Sequence, residues 1–227
     1  MAYAIRCGAV RGEARFAARG AWLQYASGRL LRIFRAHIHV DGEIPKHGLL
    51  VSNHLGYVDI LVLASLTPAV FVAKREVKSW PVFGWFAQLA GTVFVHRERR
   101  AQTVEATQEI EAVLGDSVLV ILFPEGTSSD GKTVLPFKSS LLEPAVKQSP
   151  EIFAGWIHYE LDDGDPSEDV CYWGDMTLVP HLINLLSKHS VRAIVRFAPL
   201  REAPSDRKEL ARRLHAEVMR LKDMASR

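Results

Sequence analysis

The chain has 227 residues, 48% of them hydrophobic and 24% charged, which is ordinary for a globular protein and enough for one sizeable α/β domain or two small ones. A formal net charge of +2 is mild and lends no support to a nucleic-acid binder. The two cysteines, Cys7 and Cys171, lie far apart without metal-type spacing, which excludes a disulfide framework and a cysteine zinc site and points to a reducing compartment.

The charge is uneven along the chain. Before residue 37, Arg6, Arg11, Arg15, Arg19, Arg29, Arg32 and Arg35 face only Glu13. Such a one-sided basic segment suits a polyanionic surface, here a membrane leaflet. Trp22, Leu23, Ala26, Leu30, Ile33 and Phe34 recur at helical spacing and predict an amphipathic helix over 20–37. That pattern fits a helix packed on the core and an interfacial membrane helix alike. The segment has no continuous apolar core, which argues against a cleaved signal peptide. Residues 1–40 are therefore expected to form an amphipathic helical membrane-association segment, peripheral or monotopic on the cytoplasmic side, and 41–227 an α/β domain.

After Asp41-Gly42, short β-rich runs alternate with longer helical ones. Strands are predicted at 49–52, 69–73, 92–95, 118–123, 152–157 and 191–197, and helices at 57–66, 79–90, 101–114, 138–148, 176–188 and 206–224, the last capped by Ser205. This alternation predicts a largely parallel central sheet flanked by helices. The longest uncharged stretch, 79–95, is broken by Pro81, Gly84 and Gly91 and is too short for a membrane span. Acidic residues cluster between Glu160 and Asp175, but match no EF-hand spacing and read as a solvated loop; no metal and no cofactor is expected.

Three polar clusters each follow a predicted strand. In VSNHLGYVDI, His54 and Asp59 would point apart by about 140° if both lay inside a regular helix. They meet if His54 sits in the turn before the helix, with Gly56 relaxing the backbone and Asp59 in the first helical turn. The carboxylate then holds one imidazole nitrogen and leaves the other free as a general base for a hydroxyl. In GTVFVHRERR, His96 and Arg97 end a strand, and Arg97 can fork onto a phosphate. In FPEGTSSDG, Gly126 lets backbone N–H groups approach an anion, while Glu125 can accept from a polyol hydroxyl or position a basic side chain.

In this order and at strand ends, NHLGYVD, GTVFVHR and FPEGT resemble the lysophospholipid and glycerolipid acyltransferases of the 1-acylglycerol-3-phosphate acyltransferase type, over about residues 45–160. The resemblance implies His54 as general base and Asp59 as its orienter. It implies Phe94 and Arg97 in an acceptor-phosphate site, and Glu125, Gly126 and Thr127 in acceptor binding. Lys138, in FKSSLLEPA, would add charge to that site. The expected reaction moves a fatty acyl group from acyl-CoA or acyl-carrier protein to a lysophospholipid hydroxyl, first of all from 1-acyl-sn-glycerol-3-phosphate to phosphatidic acid. Many members have Asp where this chain has His96 and Arg where it has Ser128, and the second change removes one anion contact. The stretch CYWGDMTLVPHLINLL (171–186) is similar to a bacterial subgroup that includes lyso-ornithine lipid acyltransferases, which makes another lysolipid the alternative acceptor. A catalytically silent lipid-binding scaffold is the reading from another class, and the intact His54/Asp59 pair argues against it. A metal-dependent hydrolase would need HExxH or a convergent histidine cluster, and the sequence has neither.

Overall fold

Alternation within the apolar runs decides which way each strand faces. In β5 (Leu119–Leu122), Val120 and Leu122 join one apolar cluster while Leu119 and Ile121 join another, and all four are buried. A strand covered on both faces is what a parallel sheet between two helix layers requires. The computed structural model describes residues 14–80, 83–95, 100–115 and 118–224.

The chain runs α1 (Ala14–Ile33), β1 (Ala36–Asp41), β2 (Gly48–Ser52), α2 (Tyr57–Leu66) and β3 (Ala69–Lys74), then a 3₁₀ turn at Arg75–Ser79, α3 (Phe83–Leu89), β4 (Val93–Val95) and α4 (Arg100–Gly115). It continues through β5, α5 (Glu143–Gln148), β6 (Ile152–Glu160), α6 (Pro166–Asp169), α7 (Leu178–Ser187), β7 (Val191–Pro199) and α8 (Arg207–Asp223). The seven strands lie in the order β1-β7-β6-β2-β5-β3-β4. Every neighbouring pair is parallel except β6 with β7.

Buried side chains of α1, α2 and α7 pack on one face of the sheet, with Phe86 and Leu89 of α3 against them. The opposite face is covered by α4, α5 and α8 through Ile110, Val113, Ala145, Leu210, Leu214 and Val218. Helix α1 sits close on β3 because Gly20 has no side chain: a Cβ there would lie 3.1 Å from the Ala69 nitrogen.

The predicted strands all form, and β1 is an addition. The helix expected to reach residue 37 ends at Ile33, because Arg35 adopts a left-handed φ of 50° and turns the chain into the sheet. The expected segment boundary at 40/41 falls inside β1, which pairs with β7 from Ala36 to Asp41. Of the single helix expected over 79–90, α3 is described from Phe83, while Trp80, before Pro81, is extended, as the residue before a proline avoids helical backbone. Likewise α5 waits for Pro144 in its first turn. Helix α8 is capped by Asp206 rather than Ser205, its Oδ1 accepting from the Lys208 and Glu209 nitrogens at 2.9 Å each.

Candidate active site

The site is built where β2 hands over to α2. Gly56 is the N-cap of α2 at φ 154°, and its missing side chain matters twice. A Cβ would strain that backbone and would lie 2.8 Å from the Tyr172 nitrogen. The tight turn brings the two residues of the first motif together: the His54 Nδ1 to Asp59 Oδ2 distance is 2.8 Å. The same Oδ2 accepts from the Leu55 nitrogen at 2.6 Å and the Gly56 nitrogen at 3.0 Å, and Oδ1 accepts from the Tyr159 hydroxyl at 2.7 Å. Asp59 is 0% exposed, so these donors replace the water its carboxylate has lost. It caps α2 and orients His54 with the same oxygen.

With Nδ1 committed to the carboxylate, Nε2 of His54 makes no hydrogen bond among the described residues, and the side chain is 21% exposed. The imidazole lies flat on Phe123, ring centroids 4.2 Å apart and planes inclined by 15°. The His54 backbone oxygen accepts from the Ser129 nitrogen at 3.0 Å, which locks the FPEGT turn across the histidine turn. Asn53 anchors the arrangement to β6, its amide group donating to the Ile157 oxygen at 3.0 Å and accepting from the Ile157 nitrogen at 2.8 Å.

Glu125 lies beneath this turn and is 2% exposed, with neither carboxylate oxygen hydrogen-bonded. Burial pushes its carboxyl up to about 8. The nearby backbone N–H groups of Leu135 and His54, outside hydrogen-bond geometry, pull it partly back, while the Asp59 charge raises it further. The unfolded chain releases this proton near the ordinary value of 4.5, whereas the fold retains it up to about 8. Stability is therefore expected to be fullest below pH 4.5 as far as this group is concerned, and to fall as pH rises through 8. Denaturant midpoints of wild type and Glu125→Gln at acid and alkaline pH test this. The wild type should lose a few kcal/mol relative to the variant across that window, and parallel pH profiles would refute it.

The other expected site residues fall into two groups. Gly126 belongs to the same turn: its φ is 75° and its nitrogen donates to the Phe123 oxygen at 3.2 Å. Thr127 and Lys138 are exposed beside it, and the Lys138 nitrogen closes the turn by donating to the Pro124 oxygen at 2.9 Å. Phe94, by contrast, is half-buried on the edge strand β4, in register with Ala73. That is three strands from β2, or roughly 14 Å across the sheet. Arg97 lies outside the described residues.

Sequence reasoning missed the residues that hold the pair from a distance. Tyr159 lies next to the end of β6, a strand expected to stop at 157 that runs to Glu160, and nothing local marks it as a partner of Asp59. A second buried network supports Tyr57, the first residue of α2. Nε2–H of His181, on α7, donates to the Cys171 oxygen at 3.0 Å, so Nδ1 accepts from the Tyr57 hydroxyl at 2.9 Å. Burial lowers the His181 pKa, which keeps this ring neutral. Cys171 itself is 2% exposed and burial pushes its thiol up, the opposite of an activated nucleophile. Among the described residues no three His, Cys, Asp or Glu side chains are grouped as metal ligands.

Residues 35–158 match the family model described as Acyltransferase. The chain is 34% identical over 206 residues to the lyso-ornithine lipid O-acyltransferase of Rhizobium meliloti (strain 1021), covering 85% of this chain and 70% of that protein. It is 40% identical over 208 residues to the lyso-ornithine lipid O-acyltransferase of Brucella abortus (strain 2308), covering 84% and 77%. Identity to the 1-acyl-sn-glycerol-3-phosphate acyltransferase of Neisseria gonorrhoeae is 31% over 161 residues, or 71% and 63% of the two chains. Among solved structures, the 1-acyl-sn-glycerophosphate acyltransferase PlsC from Thermotoga maritima shares the fold, with a TM-score of 0.65 and 21% identity over 97% of this chain and 87% of that one.

Proposed function

The chain belongs to the acyltransferase family, and on that premise we propose that it moves a fatty acyl group from acyl-CoA or acyl-carrier protein to the hydroxyl of a lysolipid, with lyso-ornithine lipid as the acceptor. One observation carries the chemistry: the 2.8 Å bond from His54 Nδ1 to a fully buried Asp59, which leaves Nε2 for substrate. Nε2 takes the proton of the acceptor hydroxyl as its oxygen attacks the thioester carbonyl, and Asp59 stabilises the imidazolium that forms. Collapse of the adduct breaks the C–S bond, and the departing thiolate takes the proton back from the imidazolium. Direct transfer needs no acyl-enzyme, which agrees with the inert setting of Cys171 and the absence of a GxSxG elbow.

Two features support the acceptor. Two lyso-ornithine lipid enzymes are 34% and 40% identical over 85% and 84% of this chain, and Ser128 stands where many family members have Arg, which removes one anion contact. The second reading, 1-acyl-sn-glycerol-3-phosphate, rests on the 31% identity to the Neisseria enzyme. On either reading the turn that carries Glu125, Gly126 and Thr127 borders the acceptor side together with Lys138, and on the second Phe94 and Arg97 would serve the acceptor phosphate. Attachment is peripheral or monotopic at the cytoplasmic leaflet through the N-terminal segment. Helix α1 carries Arg15, Arg19, Arg29 and Arg32 and no acidic residue, and among the described residues no helix is long and apolar enough to cross a membrane.

The test is transfer of labelled acyl groups from acyl-CoA and from acyl-carrier protein to both acceptors. Product on lyso-ornithine lipid in clear excess is expected. Product on 1-acyl-sn-glycerol-3-phosphate alone would move the acceptor to the second reading, and silence on both would sink the reaction class.

A further inference from the structure

The large apolar side chains left in solvent are not scattered. Tyr25 and Ile33 on α1, Trp80 before α3, Trp85 on α3, and Val179, Ile183 and Leu186 on α7 all belong to the layer that carries His54 and Asp59. Among the described residues, Met224, after α8, is the exception. The other layer presents α8, whose outer surface is charged and paired, as in Arg213 with Glu209 and Arg220 with Glu217. Single exposed apolar residues are ordinary, but a stripe on one helix is not.

Helix α7 carries that stripe. Val179 and Ile183, 64% and 63% exposed, and Leu186, 46% exposed, recur at i, i+4 and i+7, on the side away from buried His181 and Leu185. The helix has no Asp, Glu, Lys or Arg to give its outer face to water. Its first turn is fixed at the active site, because His181 accepts from Tyr57, two residues before Asp59. Trp80 packs edge-on against Tyr172, which packs in turn on His181.

Charge and ring type decide what covers this layer. Exposed Arg29 and Arg32 flank Ile33, and exposed Arg75 and Lys78 precede Trp80. Indole rings and basic side chains in the same layer as an apolar stripe match the boundary between head groups and acyl chains. We propose that α7 lies in that boundary with Val179, Ile183 and Leu186 inserted, as a lipid contact separate from the N-terminal segment, so that the site-bearing layer faces the bilayer. This rests on the lysolipid reading only in that a lipid acceptor would then reach His54 without leaving the membrane.

The test uses the full chain and vesicles of phosphatidylcholine with phosphatidylglycerol. In the triple variant Val179→Ser/Ile183→Ser/Leu186→Ser, vesicle affinity is expected to fall at least about tenfold, given the apolar area removed. Transfer to acceptor held in vesicles should fall with it, while transfer to acceptor in detergent micelles stays within about twofold, since none of these side chains reaches the site. Because a variant can also fail to fold, a second measurement is independent of it. In a Cys7→Ser background, Ile183→Cys carrying an environment-sensitive fluorophore should shift to the blue on vesicles and be quenched by brominated acyl chains. Unchanged vesicle affinity of the triple variant, or an unshifted and unquenched label, overturns the proposal. So does a dimer in sedimentation that the substitutions dissolve while vesicle binding persists, which would assign the stripe to a second copy. Lost vesicle binding with no transfer on any acceptor would keep this surface and reject the proposed reaction.

Discussion

His54→Ala is expected to lower the rate of acyl transfer by roughly 10³-fold at saturating acceptor, with the fold retained. The loss follows from the geometry, since Asp59 holds Nδ1 of His54 and leaves Nε2 as the base offered to the acceptor. Its removal leaves the acceptor hydroxyl with water as its base. The fold survives because Asp59 keeps its bonds from Leu55, Gly56 and Tyr159, and the imidazole is already 21% exposed. The change in stability should be on the order of 1 kcal/mol, the worth of one hydrogen bond. Single-turnover rates and a thermal midpoint on the same preparation decide the matter. Activity within tenfold of wild type would mean that the base lies elsewhere.

Asp59→Asn separates orientation from charge. Its amide oxygen can still accept from Leu55, Gly56 and His54 on the Oδ2 side, and its NH₂ then meets Tyr159, whose hydroxyl can turn and accept. The helix cap and the imidazole pose are therefore preserved. What disappears is the negative charge that stabilises the imidazolium during proton transfer, and the rate should drop by about 10²–10⁴. Asp59→Ala is a harsher change: it strands buried donors from Leu55, Gly56 and Tyr159 and should cost several kcal/mol of stability. Comparing the two variants by kcat and by denaturant midpoint distinguishes the roles. If Asn behaves as wild type in rate, the charge plays no part in the chemistry.

The sheet was readable because its central strands are buried on both faces and are written as unbroken aliphatic runs, such as LVIL in β5. Strand β1 was not, because His37 and His39 alternate with Ile38 and Val40 on a half-covered edge, and the helix before it gives no glycine or proline as a stop. The end falls at Arg35, in a left-handed conformation that arginine seldom takes. At the site, the His54/Asp59 pair was legible since its geometry is local, a turn plus a helix start. Its supports were not, because Tyr159 reaches Asp59 across a hundred positions and Phe123 reaches His54 through the order of strands. Glu125 was legible as a motif residue, while its burial without partners depends on how the turn folds over it.

The clamp between Asn53 and Ile157 spans 104 positions, and the Tyr159 bond to Asp59 spans 100. Contacts so distant along the chain form only after the large loop between them has closed, whereas α2 and its cap can form locally. The distant supports of the His54/Asp59 pair are thus expected to assemble after the pair itself. A chain that has regained its helices but not the seam between β2 and β6 has the capped turn of His54 and Asp59 without the Asn53 and Tyr159 contacts that anchor it. The finished site is therefore tied to the long-range docking of β2 against β6 through Asn53 and Tyr159.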